Sequence, residues 1–131
     1  MKQTDYSFTK IVDLSYEEAI EKVTEELKKE GFGIVSEVDF KAKLKEKLDV
    51  DFKPYKILGA CNPRLAYKAL QAEEQIGLML PCNVIVYENE SGQAVVAAVD
   101  PVASMQAVDN PAMGEVAQTI QDRLKRVIEK V

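Results

Sequence analysis

The chain contains no histidine. That absence removes His-dependent general acid–base catalysis, the Ser-His and Cys-His nucleophile systems, and every His-based metal site. Cysteine is nearly as scarce. The two residues present, Cys61 and Cys82, cannot complete a tetrahedral zinc shell, and no carboxylates are spaced to help them. No metal or cofactor is therefore expected. Neither a GxGxxG nor a GxxxxGKS/T loop occurs, so dinucleotide and phosphate-loop fingerprints are missing too. With these classes gone, an enzyme is the less favoured expectation.

Long apolar runs are also lacking. The longest, Ile76 to Cys82 and Ala94 to Val99, are far too short to span a bilayer. The opening residues, Met1 to Ser7, lack the apolar core and small-residue cleavage site of a signal peptide. The expected location is cytoplasmic, with no membrane partner, and both cysteines are read there first as reduced thiols. Basic charge is in the minority: 17 Lys and Arg face 22 Asp and Glu, for a net charge of -5. A nucleic-acid backbone would be repelled on average, and no aromatic-plus-basic stripe offsets this, so no nucleic-acid partner is expected.

What is present is an ordinary globular balance. Of 131 residues, 47% are hydrophobic and 30% charged, which suits a single domain over residues 1–131 with a core that needs no disulfide or metal. A strand is expected around Tyr6 to Val12. Ser15 with Glu18 forms a capping box that starts a helix, whose apolar stripe is Tyr16, Ala19, Ile20, Val23 and Leu27 and whose stop is Gly31. Gly33 to Phe40 reads as a strand. From Lys41 to Leu48 the lysines alternate as on a strand, yet Phe40, Leu44 and Leu48 recur every four residues. With no β-branched residue present, a short amphipathic helix is expected, its lysines forming an anion patch or simply a solvated face.

Tyr55 to Cys61 makes the third strand. Asn62-Pro63 then starts a helix with Asn at the N-cap and Pro in the first turn. The chain returns through Gly77 to Leu80 into a strand at Cys82 to Glu88, and Asn89 to Gly92 turns it into a hairpin partner at Gln93 to Val99. Asn110-Pro111 starts the last helix, with Met113, Val116, Ile120, Leu124, Val127 and Val131 along one face. The order β-α-β-α-β-α-β-β-α predicts an α+β fold, with a twisted, largely antiparallel sheet and helices packed on one face.

The string Leu58-Gly59-Ala60-Cys61-Asn62-Pro63, followed by Ala66, Ala69-Leu70, Gly77 and Leu80-Pro81-Cys82-Asn83-Val84, resembles the bacterial and archaeal domain-of-unknown-function family 302. The resemblance runs through nearly the whole chain and is densest from Tyr55 to Pro101. It implies an α+β fold of the TATA-binding-protein class and a homodimer. It implies no activity, because none is assigned to the family. A shared fold class does not carry DNA binding with it.

The same elements supply the candidate site. Cys61-Asn62-Pro63 and Pro81-Cys82-Asn83 are near mirror images at the two ends of one crossover. Cys61 should close a strand immediately before a helix N-terminus, where N–H groups and the dipole hold anions and lower a thiol pKa. Arg64 adds positive charge. The candidate ligand-binding set is therefore Cys61, Asn62, Pro63, Arg64, Pro81, Cys82 and Asn83, for a small anionic or polar ligand. A thiol redox or sensor protein is an alternative. So is a structural subunit in which the cysteines are core packing and the asparagines only cap and turn.

Overall fold

The computed structural model describes residues 1–131. Its centre is one antiparallel sheet of six strands: β1 (Lys2–Gln3), β2 (Ser7–Val12), β3 (Gly33–Asp39), β4 (Tyr55–Cys61), β5 (Cys82–Glu88) and β6 (Ala94–Val99), in the order β1-β2-β6-β5-β4-β3. The helices are α1 (Tyr16–Lys29), α2 (Phe40–Leu48), α3 (Pro63–Ala72), α4 (Pro101–Ser104) and α5 (Pro111–Lys130). The expected order is present. Three short elements accompany it: the two-residue β1, a 3-10 turn at Glu74–Met79, and α4. Each is too brief to leave a periodic signature in sequence.

Helix ends are set by local chemistry. The Ser15 hydroxyl accepts from the Glu18 N–H at 3.1 Å and the Glu18 carboxylate accepts from the Ser15 N–H at 3.1 Å, closing the capping box. After α1 the chain turns at Gly31 with φ +86°, a region that glycine enters without penalty. Asp39 caps α2 through the Ala42 N–H at 3.0 Å. Asp100 caps α4 through Val102, and Asn110 caps α5 through Ala112. In the β5–β6 turn, Asn89 Oδ1 accepts from the N–H groups of Ser91 and Gln93, and Gly92 takes φ +77°.

Strand alternation gives the sheet two unlike faces. Phe8, Leu58, Ala60, Val84, Val86, Val96 and Ala98 point to the side covered by α1, α3 and α5, and all are buried. Along α5 the buried stripe is Met113, Val116, Ala117, Ile120, Leu124, Val127 and Ile128, with Val131 half-buried beyond it. Fully burying one large apolar side chain stabilises by roughly 1.5–3 kcal/mol. This stripe therefore contributes on the order of the whole net stability of a domain, about 5–15 kcal/mol.

The opposite face has no long helix over it. In register across it run Val38, Ile57, Ile85, Ala97 and Thr9, beside a second row of Tyr55, Tyr87, Val95 and Ile11. No charged residue occupies either row. At one end Phe40 of α2 meets Tyr55 edge-on, and Tyr55 stacks on Tyr87 with centroids 5.4 Å apart. The α2 segment otherwise buries nothing, and Leu48 is exposed, so its apolar side is far less covered than its spacing suggested.

Candidate functional site

Asn62 sits where three elements converge. It is the N-cap of α3, and its Oδ1 accepts from the Leu65 N–H at 3.3 Å. Its Nδ2 donates to the Glu30 carbonyl, just past the end of α1, at 3.4 Å. Arg123 from α5 donates to that same carbonyl through Nη1 at 3.1 Å. The Asn62 side chain is almost wholly buried by this arrangement. Gly31 leaves the room: a Cβ there would stand 2.9 Å from Asn62 Nδ2. The Glu30 carboxylate is gripped by Arg126, with Nη2 to Oε1 at 2.9 Å and Nε to Oε2 at 3.1 Å. That paired guanidinium holds the Glu30 carboxyl below the usual carboxylate range.

Above this junction opens a cleft of about 570 Å³, lined by Gly31, Asn62, Pro63, Arg64, Leu65 and Arg123. Two guanidiniums and the positive end of the α3 dipole meet there. Arg64 is in no ion pair. In the first turn of α3, Pro63 has no N–H, Leu65 donates to Asn62 Oδ1 and Ala66 to the Asn62 carbonyl. Among the first-turn donors this leaves the Arg64 N–H for a ligand or solvent.

The other candidate residues lie elsewhere. Cys61 and Cys82 come together, both lining an apolar gap of about 10 Å³ with neighbours that include Phe32, Ala69, Leu80 and Ile120. That volume is at or below what one water molecule needs. Both thiols are free, Cys61 half-exposed and Cys82 buried. Burial, and secondarily the neighbouring Cys61, push the Cys82 thiol up to about 11, so it stays protonated at neutral pH. Pro81 and Asn83 border a separate cleft of about 250 Å³ with Leu78, Met79, Leu80, Val99 and Ser104. Pro81 follows a cis peptide bond and packs with Ser36 over Gly59, where any side chain would collide with both.

The two Cys-Asn elements are thus near in space but line different spaces. Asn62, Pro63 and Arg64 line the basic cleft, the thiols fill a packing gap, and Pro81 and Asn83 border the separate cleft. Sequence reasoning missed Gly31 and Arg123 as cleft residues. Gly31 carried a signal as the stop of α1. Arg123 carried none, being one of several charged positions on the polar side of α5.

Residues 8–131 match the family described as a domain of unknown function, DUF302. The chain belongs to this family. A solved structure described as an uncharacterized conserved DUF302 protein from Bacillus stearothermophilus is 33% identical, with a TM-score of 0.88, covering 95% of this chain and 96% of that one. The mixed α+β architecture is accordingly the DUF302 architecture, as the Cys-Asn strings implied. No curated protein matches the chain. No helix of this DUF302 chain is long and apolar enough to cross a membrane.

Proposed function

We propose that this DUF302 domain is a binding module that holds a small anionic ligand, a phosphate or compact carboxylate, in the cleft at the start of α3. The observation that carries the reading is the placing of two guanidiniums, Arg64 and Arg123, on one cleft of about 570 Å³ beside a capped helix N-terminus. That volume is within the range of ordinary small-molecule sites, about 300–1,000 Å³. Charge supports it locally: the chain is acidic overall, yet the cleft lining contains no carboxylate. The lining also has no thiol or hydroxyl, so binding is the better-supported reading than turnover. Of the candidate residues, Asn62, Pro63 and Arg64 line the cleft, and Cys61, Pro81, Cys82 and Asn83 do not.

The thiol redox alternative draws no support from Cys82, buried and held protonated. Two free cysteines fit a reducing compartment, so we place the protein in the cytoplasm. We assign it no nucleic-acid or membrane partner and take its working form to be a homodimer.

Thermal shift at low ionic strength tests the ligand reading, with thiols reduced and inorganic phosphate, sulfate, citrate and malonate as probes. At least one should raise the melting temperature with saturable dependence, and Arg64→Ala should abolish the rise while leaving the unliganded melting temperature nearly unchanged. No shift with any probe, or an equal shift in the variant, would sink the proposal.

A further inference from the structure

We infer that the groove between the Glu74–Met79 turn and the α4–α5 junction docks a cationic amphipathic helix of another protein. It shares no lining residue with the anion cleft at α3 and does not depend on that reading.

Charge is divided along this chain. From residue 69 to residue 122 there are eight aspartates and glutamates and no lysine or arginine. The flanking stretches together hold 17 basic and 14 acidic residues, so the negative excess of the whole chain comes from this one segment. The same segment supplies every residue lining three clefts of about 250, 220 and 250 Å³. The clefts adjoin. The first and second share Val108, and the second and third share Leu78 and Met79.

The groove they form has an apolar floor and apolar lips. Ile76, Met105 and Met113 are buried at its base, while Leu78 is 82% exposed and Met79 and Val102 are each more than a third exposed. A single exposed leucine is ordinary, but exposed apolar side chains that rim connected clefts make a recognition surface. Methionine at such a surface adapts its shape to an incoming side chain.

Charge selects the occupant. The charged side chains on the lining are Glu73 and Asp109, both in the middle cleft, and neither is in an ion pair. Asn110 Nδ2 donates to Glu73 Oε1 at 3.3 Å and holds that carboxylate in place. The clefts on either side carry no charge. A matching ligand sets a lysine or arginine in the middle and an apolar side chain to each side. An amphipathic helix does this with one face at i, i+3, i+4 and i+7. Anionic partners are repelled by the same segment.

Fluorescence anisotropy of labelled peptides against the full chain is the test. The probe is a synthetic leucine–lysine helix of about 18 residues, with leucine at i, i+3 and i+7 and lysine at i+4 of one face. A scrambled peptide of the same composition is its control. At low ionic strength the helix should bind wild type saturably, and the scrambled peptide at least tenfold more weakly. Leu78→Ser should weaken binding at least fivefold, and so should Asp109→Asn; both positions are open to solvent, and far-ultraviolet circular dichroism verifies each fold. Glu90→Gln removes the same charge at the hairpin turn and should leave binding unchanged. Absence of saturable binding, equal affinity for the scrambled peptide, wild-type binding by either groove variant, or an equal loss in Glu90→Gln would overturn the proposal. So would light scattering in which wild type self-associates and Leu78→Ser does not, since a second copy would then be the occupant.

Discussion

Replacing Asn62 by alanine removes two hydrogen bonds that tie the start of α3 to the end of α1. The cap itself is worth about 1 kcal/mol, within a range of roughly 0.5–2. The bond from Nδ2 to the Glu30 carbonyl is long at 3.4 Å, and Arg123 still serves that carbonyl at 3.1 Å, so its loss adds less. A net intramolecular hydrogen bond contributes roughly 0.5–1.5 kcal/mol, and the lower figure applies here. The Leu65 N–H is left in a poorly hydrated junction, which pushes the cap term upward. The total is about 1.5–2.5 kcal/mol. For a domain of this length that lowers the melting temperature by roughly 5–10 °C.

Asn62→Asp separates the two contributions. It keeps an acceptor for the Leu65 N–H and places negative charge at the α3 N-terminus beside Arg123, while an acceptor oxygen replaces the donor that faced the Glu30 carbonyl. It should melt within about 3 °C of wild type. Calorimetry of the three proteins at pH 7 is the assay. An alanine variant within 1 °C of wild type, or an aspartate variant as unstable as alanine, would refute the account of Asn62 as a double-ended clamp. A double-mutant cycle with Arg123→Ala should show non-additivity above about 0.5 kcal/mol, since both side chains serve one carbonyl.

The remaining expectations concern the thiol, the last helix and acid. In Cys61→Ser the sole thiol is Cys82, which should resist iodoacetamide between pH 7 and 9 until denaturant is added, because burial pushes it up to about 11; rapid labelling of the native protein would contradict its burial. A chain ending before Asn110 loses the α5 stripe and should show no cooperative melting, and a truncated protein that melts near the full-length temperature would make α5 an appendage. Arg126 holds Glu30 below its usual 4.5, so this stabilisation is complete above that pH and fades as pH falls through the lower folded value. The melting temperatures of wild type and Glu30→Gln should therefore differ at pH 6 and draw together as the pH falls below the ordinary carboxylate range; a constant gap would show that the ion pair is not responsible.

Much of the fold was legible because its signals are local. A capping box needs only Ser15 and Glu18, the Asn-Pro starts of α3 and α5 need only adjacent residues, and the α5 stripe repeats over five turns. The Lys41 to Leu48 segment resolved as a helix because its composition favours one and Asp39 supplies a cap. Its apolar spacing misled only about burial. A stripe says which residues share a side, not whether another element lies against it.

The site was legible in part. Asn62 and Arg64 were found because capping and first-turn charge are nearest-neighbour matters. That the two Cys-Asn elements point to different surroundings was not, because strand alternation sends successive residues to opposite faces and only the pairing register says what lies on each. The sequence by itself determined the helix starts and stops, the hairpin, the exclusion of His chemistry and the apolar set available for a core. Tertiary structure alone decided that Arg123 meets Asn62 at one carbonyl, that the thiols fill a gap, and that one sheet face has no long helix over it. Those are contacts between residues far apart in the chain, and no local energy term specifies them; they follow from how the helices, once formed, bury their stripes on one side of the sheet.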